Sequence, residues 1–180
     1  PIWTEGRAVY QVGENILYGS SGVCRVAAVG TPDLPQADKG RVYYTLAPLF
    51  GTETIFVPAD AQVYMRPVLT EPEARSLIAA MPAIPAGPVE EKSPKNFAQY
   101  CQEALRSHDS RTLISLLKTI HVRDEAARRR KKAPGKIEER YRRQAEDLLY
   151  GELAVALGVA WEEVPGRIQA ILGQTGGETA

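Results

Sequence analysis

The sequence predicts an α+β fold: an N-terminal five-stranded antiparallel small barrel followed by a C-terminal all-α helical domain. Three observations carry that prediction. Between residues 8 and 68 apolar and β-branched side chains alternate at period two, whereas after residue 94 they recur every three or four positions. Between the two lies PAIPAGPVEEKSP, 82–94, with Pro82, Pro85, Pro88 and Pro94 and few large apolar residues.

Val42, Tyr44 and Leu46 alternate with Tyr43, Thr45 and Ala47, and Ile55 and Val57 with Thr54 and Phe56. Gly13, the GSSG at 19–22, the loop GTPDLPQADKG and Phe50-Gly51 supply turns, which leaves strands near 15–18, 23–29, 41–47, 52–57 and 64–68. Short strands with no helix between them imply a barrel and not a βαβ unit. At Thr70-Glu71-Pro72-Glu73 a capping box opens a helix to about Met81. The proline-rich stretch then reads as a semi-extended linker and domain boundary. Beyond it, Phe97, Tyr100, Cys101, Ala104 and Leu105 share one helical face, and Asp109 or Ser110 caps a helix carrying Leu113, Ile114, Leu116, Leu117 and Ile120 and ending near His121. A long helix follows Ala133-Pro134-Gly135, with Ile137, Tyr141, Ala145, Leu149 and Leu153 on its stripe and Gly158 as its stop, and a short last helix holds Val164, Ile168 and Ile171. The expected organisation is therefore 1–69 barrel, 70–94 connecting helix and linker, and 95–180 helical domain.

With 180 residues, 44% apolar content and zero formal net charge, the chain suits one large or two small soluble domains. Cys24 and Cys101 form no C-x-x-C pair, so neither a disulfide framework nor a zinc site is indicated and a reducing, cytoplasmic setting is expected. No run approaches the roughly 18–20 apolar residues of a membrane helix. The N-terminal PIWTEGR lacks signal-peptide order, and Pro1 points to a trimmed end. His108 and His121 stand in no metal-binding spacing, and phosphate-loop, dinucleotide-fold and nucleophile-elbow motifs are missing, so no enzyme, metal or cofactor is expected. His121 reads as a residue favoured by a helix C-terminus, and Glu152, inside an apolar stripe, as an edge residue pairing with a neighbouring helix or a buried functional carboxylate.

One segment stands apart. From Arg123 to Arg143 there are ten Lys plus Arg against four acids, and Arg128 to Lys132 are five consecutive bases. Asp124–Arg128, Glu125–Arg129, Glu138–Arg142 and Glu139–Arg143 have acid-first i,i+4 spacing, each worth a few tenths of a kcal/mol as a solvated pair. Arg123, Arg130, Lys131, Lys132, Lys136 and Arg140 remain without such a partner, at a helix end, in a loop and at a helix start. A corner of unpaired cations suits a phosphate backbone; a solvated face and an acidic protein partner are the other readings.

The N-terminal half resembles a known family. Val12-Gly13, Tyr18, Gly22-Val23, Val26, Tyr43-Tyr44-x-Leu46, Val57-Pro58 and Arg66-Pro67-Val68 occur in the order found in the CarD family of bacterial RNA polymerase-binding transcription regulators. Their first domain is shared with transcription-repair coupling factors. AEDLLYGELAVAL is similar to the family's helical second domain. The resemblance implies a Tudor-like barrel that adds an edge strand to the RNA polymerase β subunit, with Arg41, Thr52, Thr54 and Phe56 at that surface. It also implies a helical domain on promoter DNA, contacted here by Phe97, Arg123, Arg128, Arg129, Arg130, Lys131, Lys132, Lys136, Arg140 and Arg143. No cofactor and no membrane are implied, and the pattern fixes no oligomeric state.

The chain departs from the family at several positions. Gly19, Ser21 and Cys24 replace a proline, a histidine and a glycine of the first turn, and Phe56 stands where some members have a polymerase-contacting arginine. Phe97 stands near the family's minor-groove wedge tryptophan, although its spacing with Cys101 and Leu105 equally suits a core. Glu139 replaces a basic residue, with Arg140 adjacent. Two other readings remain: an adaptor whose helical half binds protein or self-associates, and a peptide reader with an aromatic cage built from Tyr18, Tyr43, Tyr44 and Tyr64.

Overall fold

The computed structural model describes residues 10–175 and divides the chain into two compact units, one ending at Val68 and the other beginning at Leu69. The first holds β1 (Asn15–Tyr18), β2 (Gly22–Gly30), β3 (Tyr43–Pro48), β4 (Ile55–Pro58) and β5 (Met65–Pro67). The second holds α1 (Glu71–Ala80), α2 (Pro94–Arg106), α3 (Ser110–Arg129), α4 (Lys136–Leu157) and α5 (Val164–Thr175). No helix among the described residues is long and apolar enough to cross a membrane.

The strands are antiparallel in the order β4-β3-β2-β1-β5. Among the described residues no ladder joins β4 to β5, so the expected barrel is an open five-stranded sheet. Alternation places Ile16, Cys24, Val26, Tyr44, Leu46 and Val57 in one buried cluster with Tyr10, Ala59 and Met65. The ladder slips between Val26 and Ala28, a bulge that bends β2. GSSG is the tight turn the sequence suggested, and Gly22, at φ 76° and ψ −146°, holds a conformation that side chains do not tolerate.

The helices start and stop where local chemistry dictates. At α1 the Thr70 N–H donates to Glu73 Oε2 at 2.8 Å and the Glu73 N–H to Thr70 Oγ1 at 3.4 Å. Asp109 Oδ2 accepts from the Thr112 N–H at 3.1 Å to start α3. Gly158 closes α4 in the left-handed conformation at φ 66°. One end differs from expectation: α3 does not stop at His121 but runs on to Arg129, because Ala126 and Ala127 and the arginines around them are good helix formers.

The proline-rich segment also differs, since it belongs to the helical unit and is fastened along α3. Ser115 Oγ donates to the Pro85 carbonyl at 2.7 Å, and the Gly87 N–H donates to Thr119 Oγ1 at 2.7 Å. Lys118 Nζ donates to the carbonyls of Met81, Pro82 and Ile84. Arg123 Nη1 donates to the carbonyls of Val89 and Glu91 at 3.2 and 2.7 Å. Ser115, Lys118, Thr119 and Arg123, at i, i+3, i+4 and i+8, form one stripe of α3, so the segment is a strap over the helix. A side chain at Gly87 would collide with the Tyr100 hydroxyl.

Candidate functional site

Two surfaces gather most of the residues singled out in the sequence, one in each unit. The first is the outer edge of β4. The Ala59 N–H donates to the Val42 carbonyl at 2.9 Å, and the register pairs Val57 with Tyr44 and Phe56 with Thr45. Antiparallel alternation then turns the peptide groups of Val57 and Ile55 toward β3, and the N–H and C=O of Phe56 away from it. The Phe56 side chain is 41% exposed, so it is not part of the core of its unit. Thr52 and Thr54 lie exposed in the preceding turn, alongside exposed Leu49 and Phe50. Arg41 is also exposed, but its guanidinium meets Asp60 Oδ1 at 2.5 Å, so its charge is compensated locally.

The four tyrosines do not form a cage. Tyr44 is fully buried, and its hydroxyl accepts from the Tyr10 N–H at 3.2 Å. Tyr43, its neighbour in β3, points to the opposite face, and its hydroxyl accepts from the Asp38 N–H at 3.1 Å.

The second surface is the tip between α3 and α4. Arg130 N–H bonds to the carbonyls of Ala126 and Ala127, Lys131 N–H to that of Arg128 at 2.9 Å, and Lys132 N–H to that of Ala127 at 2.9 Å. This pattern closes a helix with its reversing residue left-handed, a place glycine usually fills; Lys131 fills it at φ 55°. A cation thus sits at the turning point, followed by exposed Lys132, Ala133 and Pro134 and the start of α4. Arg129, Arg130, Lys131, Lys132 and Lys136 are exposed and make no ion pair among the described residues. The Arg140 guanidinium lies 5.5 Å from the Tyr141 ring. Arg128 bonds Glu125 at 2.6 Å and Arg143 reaches Glu139 at 3.6 Å, both as exposed pairs that leave the cations in solvent.

Two expected contacts are corrected. Phe97 is 1% exposed and packs in the helical core, because the face it shares with Cys101 and Ala104 is the buried face of α2; it presents no wedge. Arg123 is not a free cation at the tip. It donates to Glu138 at 2.9 Å, stacks 3.9 Å over the Phe97 ring and holds two strap carbonyls. The acids also choose other partners than i,i+4 spacing suggests: Glu138 takes Arg123, and Asp124 takes Arg142, each across the α3–α4 pair. Asp124 is 5% exposed, and burial pushes its carboxyl above the ordinary value against the pull of Arg142, with Glu138 adding to the rise. A side chain on Gly135, the residue before α4, would meet the Glu138 carboxylate. The tip therefore stands on two cross-helix ion pairs.

Glu152, Cys24 and Cys101 are buried titratable groups away from both surfaces. Glu152, 2% exposed, accepts from the Leu69 N–H and the Ser110 hydroxyl, both at 3.2 Å, and so ties the starts of α1 and α3 to α4. Burial pushes the Cys24 thiol up to about 11 and the Cys101 thiol up to about 12, which keeps both protonated at neutral pH. Comparison with known proteins finds no matching family model and no matching curated sequence.

Proposed function

We propose that the chain is a non-enzymatic bacterial transcription regulator, as its resemblance to the CarD family implies. Its first unit, a Tudor-like module in this reading, docks on the RNA polymerase β subunit by strand addition at β4. Its helical unit lays the α3–α4 tip on promoter DNA and shifts the stability of the open complex. The observation that carries this reading is the sorting of cations at the tip. Arg123 and Arg142 turn inward to acids, whereas Arg129, Arg130, Lys131, Lys132 and Lys136 stay outward and make no ion pair among the described residues. Unpaired exposed cations repel one another, and neutralising phosphates with release of counterions offsets that cost.

The tests are co-purification with isolated polymerase β-subunit lobes and the salt dependence of binding to promoter duplex. Phe56→Asp weakens the first. Arg130→Ala/Lys131→Ala/Lys132→Ala leaves the first intact and makes the slope of log affinity against log salt shallower by about 2.7, at about 0.9 per phosphate contact. A wild type that binds no lobe sinks the docking assignment. The burial of Phe97 favours one second reading, an adaptor whose helical unit meets protein; a DNA affinity without salt dependence or without response to the triple substitution would select it.

A further inference from the structure

The sheet has two edges, and the residues treat them differently. At β5, the Gly19 N–H bonds to the Tyr64 carbonyl at 2.9 Å, and alternation then turns the peptide groups of Met65 and Pro67 outward. Pro67 has no N–H, and its carbonyl accepts from Arg66 Nη1 at 3.1 Å. Proline and a capping charge are how sheets blunt an edge. The edge at β4 is not blunted around its centre. Ile55–Pro58 carries no charge, Phe56 is exposed, and its outward N–H and C=O have no partner among the described residues. Only the end is closed, at Pro58, which lacks an N–H and whose carbonyl accepts from the Ala61 N–H at 2.9 Å.

That closure bears on what fits. A second copy pairing antiparallel about Phe56 would set each Pro58 opposite position 54 of the other strand, where Pro58 offers neither a donor nor a free carbonyl. The self-pair keeps only the bonds of the central residues, too few for a stable two-stranded contact. A different chain is not bound to that symmetry. Its residue opposite Phe56 exchanges both backbone bonds, and its side chain falls on the Phe56 face of the sheet, beside an aromatic ring and Thr45. No charge within β4 is available to meet a charged side chain there. We propose that β4 takes an extended segment of a partner protein whose residue beside Phe56 is uncharged, β-branched or aromatic. This rests on the polymerase-docking reading and adds the chemistry of the partner strand to it.

The experiment measures affinity of the full chain for isolated β-subunit lobes of bacterial RNA polymerase with Phe56→Val, Phe56→Glu and Phe56→Arg. Unfolding midpoints confirm that each variant folds, as expected for an exposed side chain. Phe56→Val is expected to stay within about 3-fold of wild type, since a β-branched residue pairs well across strands. Phe56→Glu and Phe56→Arg are both expected to weaken binding by about 10-fold or more, because a charge set beside an uncharged partner side chain loses water without gaining a counter-ion. Tighter binding by Phe56→Arg reveals an acid on the partner strand and overturns the inference while the docking reading stands. Equal binding by all variants removes the partner from β4 and overturns it too. No binding by wild type overturns the docking reading itself.

Discussion

Replacing Arg123 separates a cation that builds the helical unit from one that meets a ligand. Its guanidinium donates to Glu138 at 2.9 Å and to the carbonyls of Val89 and Glu91 at 3.2 and 2.7 Å, and it covers the Phe97 ring at 3.9 Å. The Arg123 side chain is 19% exposed and that of Glu138 13%. Arg123→Ala leaves a largely buried carboxylate and two strap carbonyls without their donor. A hydrogen bond to a charged group contributes about 1.5–3 kcal/mol, and breaking one side of a buried pair costs about 3–5 kcal/mol. With part of the guanidinium in water, the expected loss is about 3 kcal/mol. In a domain of about 100 residues each kcal/mol moves Tm by roughly 4–8 °C, so the midpoint falls by roughly 12–24 °C. Urea unfolding of the full chain, followed by helical circular dichroism, measures it. Arg123→Gln, a milder change, keeps enough fold for the DNA titration and should leave the salt slope unchanged. A stability loss below about 1 kcal/mol for Arg123→Ala, or a slope shallower by about 0.9 for Arg123→Gln, refutes the structural assignment.

Other outcomes follow from the same contacts. A lysine in the left-handed conformation costs about 1–2 kcal/mol, and glycine's extra chain entropy returns about 0.5–1 of it, so Lys131→Gly should stabilise the protein by about 0.5–1 kcal/mol while weakening DNA binding; a destabilised variant contradicts the turn geometry. Because the Asp124 carboxyl is raised above its ordinary 3.8 in the fold, its contribution is fullest below that value and is lost as pH rises through the raised one. Stability of wild type relative to Asp124→Asn should therefore fall with rising pH across that window, and a difference that rises there contradicts the burial. A thiol reagent should modify Cys24 and Cys101 only as fast as the protein unfolds; rapid labelling of the native chain contradicts their burial.

Local chemistry is what the sequence makes legible. The capping box at Thr70, the cap at Asp109 and the stop at Gly158 each depend on a few neighbouring residues, and each is found where those residues stand. The strands follow their alternation for the same reason. Alternation does not reveal which strands pair at the ends of a sheet, so barrel closure was beyond its reach. The strap was hidden because its bonding groups are backbone carbonyls and one backbone N–H, which nearly every residue carries; the trace in the sequence was the polar stripe Ser115, Lys118, Thr119 and Arg123 along an otherwise apolar helix. Among the basic residues, i,i+4 spacing named solvated partners for Asp124 and Glu138, whereas the α3–α4 hairpin brought cross-helix partners into a drier site where the attraction is stronger. The five outward cations at the tip include Arg130, Lys131, Lys132 and Lys136, which local spacing had already left without partners, and add Arg129, whose expected partner Glu125 bonds Arg128 instead.

The most direct measurement is the lifetime of promoter open complexes formed by bacterial RNA polymerase with and without the protein. The account predicts that wild type changes that lifetime, that Phe56→Asp abolishes most of the change by loss of docking, and that Arg130→Ala/Lys131→Ala/Lys132→Ala does so while still binding polymerase. A lifetime untouched by wild type, or changed equally by all three proteins, would contradict it.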